Sequence, residues 1–342
     1  MATVFRPTIP DDEPQLTALM AAAFNVPPTD EMLAPALMRW KFWTPRGDFA
    51  EPRSYVMDRN GKVVAHAGIW PMTVHTPAGS FRGCHMVDWA ADTKVPGVGA
   101  AFLQKFSALF DFVYAIAYSE MARKVLTGFG FTESAENRIG ARPIRPVLQA
   151  RTHQFRGWAT PARLARNTWW SLNPAISPAS GWSVVEGTSD FEGFDRPVDA
   201  MLEGHRSQPF FKYLRMCPAM QVSVFELHHN GRRAGRLALS QVRHQVRLAG
   251  LWLTDPTPDN IRTGYALAQV AARRSGSGAE LLTHVSTPDG EALAASAGFR
   301  FLKRKPILWL SKNPSLPVRP FSFQMSDSDA IWLTDGTNGY LT

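Results

Sequence analysis

Val87-Asp88-Trp89-Ala90-Ala91-Asp92-Thr93-Lys94-Val95-Pro96-Gly97-Val98-Gly99 is the stretch that decides the fold. Residues 87–91 read as the end of a strand and residues 92–99 as a short loop with two glycines. Residues 100–110 then carry apolar side chains at helical spacing. A strand that passes into a helix through such a loop gathers several backbone N–H groups at the positive end of the helix. That is a seat for an anion, and a pyrophosphate suits it. Gly97 and Gly99 keep side chains out of the way of a close backbone approach. No Gly-Lys-Ser/Thr closes the loop, so it is not a Walker motif.

The elements on either side extend the pattern. Residues 4–7 read as a short strand, and 11–24 and 30–40 as helices. Residues 54–57 and 62–70 are strands joined by the tight turn Asp58-Arg59-Asn60-Gly61, and 72–75 and 83–89 continue the sheet. Residues 112–117 form a short aromatic strand, followed by a helix over 120–127 that Gly128-Phe129-Gly130-Phe131 ends. The second half repeats this order. Strands over 221–227 and 235–240 flank Asn230-Gly231, and 245–253 is the next strand. A helix over 260–272, a strand over 281–285 and a helix over 291–296 follow, and Gly298-Phe299 stands where Gly130-Phe131 stood. The two Asn-Gly turns are 170 residues apart and the two Gly-Phe endings 168. A nearly constant offset points to an internal duplication.

A chain of 342 residues is comfortable for two cores. The spacing predicts an N-terminal domain over residues 1–145 and an Arg- and Pro-rich connector over 146–182. A C-terminal domain over 183–310 and a packed arm over 311–342 complete the expected order. No apolar run reaches the roughly 18 residues of a membrane helix, so no membrane span is expected. The N-terminal residues lack an apolar signal core, which reads as a cytoplasmic protein. Cys84 and Cys217 sit in apolar surroundings and read as two buried thiols. The histidines show no zinc spacing, and no metal site is expected. The formal charge is +8. Arg142, Arg145, Arg151, Arg156, Arg163 and Arg166 cluster in one region, a basic field that would attract a polyanion or an acidic protein. No zinc-finger or helix-turn-helix pattern supports DNA or RNA as the partner.

Taken together, these features resemble the GCN5-related N-acetyltransferase superfamily, the acyl-CoA N-acyltransferases. The cofactor loop of that family reads Gln/Arg-x-x-Gly-x-Gly/Ala, and Lys94-Val95-Pro96-Gly97-Val98-Gly99 fills it with Lys in first place. A later family signature is an Asn, then a helix bearing a Tyr, then Gly-Phe. Here Ser119 holds the Asn place, Leu126 the Tyr place, and Gly130-Phe131 matches. The likeness covers about residues 1–139, and 182–310 by layout only, because residues 258–264 lack the second glycine. Asp255 and Asp259 would also oppose an anion there.

The resemblance implies an α/β fold of two tandem acyl-CoA N-acyltransferase-like domains, each a mixed central sheet flanked by helices, the second degenerate. It implies acetyl-CoA or another acyl-CoA as donor. Its pyrophosphate would meet Lys94, Val95, Gly97, Val98, Gly99 and Ala100, and its pantetheine arm would lie between two splayed parallel strands. A backbone N–H of Trp89 or Ala90 would polarise the acyl carbonyl. Asp88 stands where the family often keeps a carboxylate. It is a base, or it holds the substrate amine or caps a loop. Strict alternation would set it on the opposite sheet face from Val87 and Trp89. Leu126 cannot donate a proton. Either Tyr118, beside Ser119, substitutes, or a water does the work, or the site is not catalytic.

The expected activity is direct acyl transfer to an amine or hydroxyl of a small-molecule acceptor, a metabolite or sugar. Two alternatives are an acyltransferase fed by an acidic acyl carrier protein and a non-catalytic binding or scaffold protein that kept the fold.

Overall fold

The computed structural model describes residues 3–76, 78–116, 118–152, 160–173, 177–187, 202–203, 207–275, 277–313, 316, 321–333 and 340–342. In chain order the first elements are β1 (Thr3–Pro7), α1 (Glu13–Phe24), α2 (Pro35–Phe42), β2 (Ser54–Arg59), β3 (Lys62–Thr76) and β4 (Gly79–Ala91). Then come α3 (Val98–Ser107), β5 (Phe112–Ala115), α4 (Glu120–Gly128), β6 (Thr132–Pro143), α5 (Pro146–Thr152), α6 (Thr160–Leu172), β7 (Trp182–Glu186) and β8 (Leu202–Glu203). The last are α7 (Gln208–Arg215), β9 (Gln221–His229), β10 (Arg232–Val242), β11 (Gln245–Leu253), α8 (Pro258–Arg274), β12 (Glu280–Val285), α9 (Pro288–Ser296), β13 (Arg300–Ser311) and β14 (Phe321–Ser322).

Two compact units form. The first comprises Met1–Ala135, Val198–Pro218 and Pro306–Phe321, the second Glu136–Pro197, Ala219–Lys305 and Ser322–Thr342. In the first unit the strand order is β1-β2-β3-β4-β5, with the end of β13 beside β5. Every pairing is antiparallel except β4 with β5, which α3 connects. Each sheet face is covered. Leu16, Met20, Met38 and Phe42 of α1 and α2 pack with Val56 and Val63. Phe102, Leu103 and Phe106 of α3 and Leu126 of α4 pack with Ala67, Ile69 and Val113. Phe102 and Phe106 are fully buried, which contributes about 1.5–3 kcal/mol each.

The second unit repeats the plan with β7-β9-β10-β11-β12 and the β6 residues from Arg138 to Pro143 beside β12. Here too the fourth and fifth strands, β11 and β12, are the parallel pair. Leu267, Ala268 and Ala271 of α8 pack on Leu237, Leu239 and Leu248. Within the expected connector, α5 and α6 belong to this unit. In the C-terminal arm Phe323, Met325, Trp332 and Tyr340 are buried. Cys84 and Cys217 are free and buried.

The duplication is visible atom by atom. Asn60-Gly61 and Asn230-Gly231 both have positive φ at both residues, 54° and 81° against 51° and 75°. Such turns match the twist of a hairpin, and Asn-Gly adopts them with little strain. At the later landmark, Gly130 and Gly298 have φ of 105° and 86°. The Phe131 N–H donates to the Leu126 carbonyl and the Phe299 N–H to that of Ala294, the bond of a left-handed helix ending. Ser119 and Thr287, again 168 residues apart, cap the helices concerned.

Candidate functional site

The pairing of β4 with β5 is short. It runs Gly83 with Phe112, Cys84 with Val113 and His85 with Tyr114, and there it stops, although β4 continues to Ala91. Beyond His85 β4 has no β5 partner, and β5 itself ends at Ala115. At the open end β4 also carries a bulge, because His66 faces Ala90 while Gly68 faces Val87, so Asp88 and Trp89 together oppose Ala67.

Asp88 makes the bulge by taking a φ of 52°, a left-handed conformation that Asp tolerates better than most residues. Its carboxylate accepts from Lys41 Nζ of α2 at 2.6 Å, and both side chains are nearly buried, at 6 % and 5 % exposure. The Lys41 ammonium also donates to the Met32 carbonyl. The Asp88 backbone carbonyl lies 3.1 Å from His66 Nδ1. A carbonyl can only accept, so Nδ1 carries the proton and Nε2 accepts from the Ser54 hydroxyl at 3.3 Å. Ser54 Oγ is in turn 2.6 Å from Thr8 Oγ1, to which Trp43 Nε1 donates. Burial holds the His66 pKa down at about 4, so the ring is neutral. The bulge is thus held by an ion pair on its side chain and a hydrogen-bonded relay on its backbone.

Simple alternation fails at this point. A Cβ on Gly68 would sit within 3 Å of both Phe42 and Val87, so the Val87 side chain faces α2, as the Asp88 carboxylate does. Trp89 turns the other way and packs in the α3 and α4 core. The bulge therefore puts Val87 and Asp88 on one side, where strict alternation would separate them.

The loop after β4 is ordered by its own first residue. Asp92 Oδ1 accepts from the Lys94 N–H, the Asp92 carbonyl accepts from the Val95 N–H, and Asp92 Oδ2 accepts from Lys62 Nζ. The Val98 N–H is taken by the Val95 carbonyl, and its side chain is core. Three amides then remain open among the described residues, those of Gly97, Gly99 and Ala100. Gly97 is the N-cap of α3, with no side chain to close the helix end. Its φ of 78° makes glycine the natural residue there. The Lys94 side chain is exposed, while Val95 packs against the core.

Tyr118 follows β5 in the chain and packs against the α3 and α4 core. Its hydroxyl is buried and has no hydrogen-bond partner among the described residues, and the same holds for Trp89 Nε1. Burial, then Glu133, pushes the phenol pKa up, which keeps it a proton carrier. Such orphaned atoms are uncommon and ask for a ligand or a water. Ser119 is exposed and caps α4 by accepting from the Ala122 N–H at 3.2 Å. Leu126 is fully buried in the core. Ala90 is buried on the α1 and α2 side.

The corresponding places of the second unit are filled by the chain itself. The parallel pairing of β11 with β12 also ends early, at Arg247 with Leu282. There the Leu251 N–H donates to the Gln324 side-chain oxygen at 2.8 Å, and the Phe323 N–H donates to Ser286 Oγ at 2.8 Å. Arg247 Nη1 and Ser240 Oγ fasten the Ala330 and Ile331 carbonyls. The N-terminus of α8 is capped by Thr257, and Asn260 is held by Asp255.

Three of the six clustered arginines are spent on backbone carbonyls. Arg142 is buried and donates to the Ala297 and Ser171 carbonyls. Arg145 donates to the Gly278 and Arg273 carbonyls, and Arg163 to the Thr342 carbonyl. Arg151 and Arg166 are exposed, and Arg156 lies outside the described residues.

Lys41, His66 and Gln324 were not among the residues that the sequence pointed to. Lys41 sits in Arg39-Trp40-Lys41-Phe42 and looks like a solvated helix residue. A faint signal was available in Trp40 and Phe42 on either side of it, since a short helix apolar on several faces buries what lies between.

No family model matches the sequence, and no curated protein matches it. Solved structures do share the fold. One is a protein from Enterococcus faecalis described as a probable N-acyltransferase, 12% identical, covering 92% of this chain and 73% of its own, with a TM-score of 0.57. A GCN5-related N-acetyltransferase from Anabaena variabilis is 10% identical over 90% of this chain and 72% of its own, at 0.55. A tandem protein of the same superfamily from the clavulanic acid biosynthesis pathway is 13% identical over 92% of this chain and 99% of its own, at 0.54. The fold is that of the tandem GCN5-related N-acetyltransferases.

Proposed function

We propose that the first unit is an acyltransferase that takes acetyl-CoA or another acyl-CoA as donor and passes the acyl group directly to an amine or hydroxyl of a small metabolite or sugar. One observation carries the reading. The β4–β5 pairing ends at His85, and β4 runs on from there through a short loop to three open amides at the uncapped N-terminus of a ten-residue helix. Backbone N–H groups and a helix dipole at one point suit a pyrophosphate, and a gap between parallel strands suits an extended amide-bearing arm. When bound, the acyl-CoA supplies an activated carbonyl on a good leaving group.

The acceptor nitrogen or oxygen would bond to the acyl carbon and give up its proton to a water, the carbon–sulfur bond would break, and the thiolate would leave with its electron pair. A Trp89 or Ala90 N–H at the bulge would stabilise charge on the carbonyl oxygen, as preformed donors do in other acyl transfers. Tyr118 is our candidate for the proton that the thiolate needs, since its hydroxyl is buried and unspent. The Lys41 ion pair favours Asp88 as the residue that positions this backbone over Asp88 as the free base. Ser119, already committed as a cap, is assigned to holding the start of α4.

The second unit is read as a degenerate copy without a donor site, because Gln324 and Thr257 occupy the places an acyl-CoA would need. The carrier-protein alternative loses much of its motive, since Arg142, Arg145 and Arg163 are bonded to backbone carbonyls. A scaffold role is favoured by Leu126 in the place of the family Tyr and by the degenerate second copy. Calorimetric titration with acetyl-CoA and longer acyl forms, together with thiol release in the presence of amines and amino sugars, tests the proposal. Saturable binding and acceptor-dependent release are expected, and no binding of any acyl form would refute it.

A further inference from the structure

The second unit has an open cavity of about 400 Å³ whose wall includes Glu186, Phe225, Leu239, Val246 and Arg274, with Gln221 and Ser223 beside them. It lies on the α8 side of the sheet, because Phe225, Leu239 and Val246 belong to the core that α8 covers. It forms where α8 ends at Arg274 while the strands continue beyond it. A helix of 17 residues spans about 25 Å, so this is the end of the unit remote from the α8 N-terminus. Nothing said above of acyl transfer uses it, and the inference does not depend on that reading.

The chemistry of the wall is specific. The floor is apolar, made by Phe225, Leu239 and Val246. Two opposite charges line the same space, the Glu186 carboxylate on β7 and the Arg274 guanidinium at the end of α8. Both side chains are exposed; they do not pair with one another, and Glu186 has no hydrogen-bonding or ionic partner among the described residues. Arg274 donates Nη1 to the Val184 carbonyl at 2.9 Å, which fixes the guanidinium beside β7 and leaves its other N–H groups unassigned. The Gln221 amide and Ser223 hydroxyl make no hydrogen bond to the described residues either. A cavity of this size with an apolar floor and a few separated polar groups has the general character of a small-molecule site.

We propose that this cavity binds a small zwitterion with an apolar body, an apolar α-amino acid or a dipeptide of such residues. Its ammonium meets Glu186, its carboxylate meets Arg274, and its side chain lies on Phe225, Leu239 and Val246. A guanidinium presents a planar fork that matches a carboxylate, and a carboxylate accepts from an ammonium without a steric preference. A simple anion would leave Glu186 repelling it, and a simple cation would leave Arg274 doing so.

The test is calorimetric titration of the whole protein with L-leucine, L-phenylalanine and leucyl-leucine, alongside N-acetyl-leucine and leucinamide. The capped forms each delete one ligand charge and leave the protein untouched. Saturable binding of at least one free zwitterion is expected, with both of its capped counterparts weaker by at least about tenfold. Glu186→Gln, at an exposed position, is expected to weaken the zwitterion by a similar factor while leaving acyl-CoA binding unchanged. Three results would overturn the proposal: no saturable binding by any zwitterion at millimolar concentration, equal binding of the capped forms, or an affinity indifferent to Glu186→Gln in a folded protein.

Discussion

Gly99→Glu puts a carboxylate where the cofactor pyrophosphate is proposed to lie, and the structure predicts that the fold will accept it. A Cβ at Gly99 would lie 3.5 Å from Ala91 Cβ and 3.5 Å from Trp89 Cζ2, ordinary contact distances. The position is in the first turn of α3 and has no positive φ. Replacing Gly by Glu within a helix gains about 0.5 kcal/mol of propensity. An acid in the first turn adds about 0.3–1 kcal/mol through the dipole. Stability should therefore rise by about 1 kcal/mol, a melting shift of about 1–3 °C. The new carboxylate would compete for the open Gly97, Gly99 and Ala100 amides and repel phosphate, so acyl-CoA affinity should fall at least about tenfold, or about 1.4 kcal/mol. Gly97→Glu gives a useful contrast. No atom lies within 4 Å of its Cβ position, but its φ of 78° would cost a side chain about 1–2 kcal/mol. The two variants should lose acyl-CoA alike and move in opposite directions in stability. Differential scanning calorimetry and isothermal titration measure both quantities. Undiminished affinity in a folded Gly99→Glu protein would refute the reasoning.

Four further outcomes are expected. Lys41→Met should destabilise the first unit by about 3–5 kcal/mol in urea titration, because it leaves Asp88 buried without its partner; adding Asp88→Asn, which removes the charge and tolerates the φ of 52°, should recover part of that loss, and an additive double variant would contradict the pairing. Burial holds His66 and His85 neutral, with pKa values of about 4 and about 3 against 6.5. Their stabilising contribution is complete above pH 6.5 and declines as pH falls toward those values, because only the unfolded chain takes up the protons. The loss from these two groups between pH 7.5 and pH 5 is about 4 kcal/mol, so an unfolding midpoint that does not move would contradict their neutral burial. Tyr118→Phe should leave acyl-CoA binding within about twofold and lower thiol release by about 10²-fold or more if its hydroxyl supplies the proton. Gln324→Ala should cost about 1–3 kcal/mol by stranding the Leu251 N–H, seen as faster exchange of that amide.

The parts of this fold legible in the sequence are those that backbone conformation forces on local residue choice. Asn60-Gly61 and Asn230-Gly231 announce their hairpins because turns with two positive φ values admit few residues. Gly130-Phe131 and Gly298-Phe299 announce helix endings for the same reason, and their common offset reveals the repeat. What stayed hidden is long-range or conformationally unusual. The pairing of Trp309 with Tyr114 gives β5 its outer neighbour, and nothing local encodes it. Lys41 reaches Asp88 across 47 residues, and Gln324 reaches Leu251 across 73. Asp88 in a left-handed conformation overrides the two-residue alternation of a strand, so the face it occupies could not be read from its neighbours. The arginines clustered between residues 142 and 166 look like a surface field in the sequence, yet Arg142, Arg145 and Arg163 are consumed by backbone carbonyls.

The central claim is that the first unit, through the amides at the start of α3, holds an acyl-CoA and that the second unit does not. Hydrogen–deuterium exchange of the whole protein with and without saturating acetyl-CoA tests it most directly, because the groups proposed to bind are themselves exchangeable N–H groups. The account predicts slowed exchange in peptides covering residues 97–100, where the Gly97, Gly99 and Ala100 amides are open, and no change in peptides covering residues 257–261, where Thr257 already caps the helix. Unaltered exchange over residues 97–100, or protection confined to residues 257–261, would contradict it.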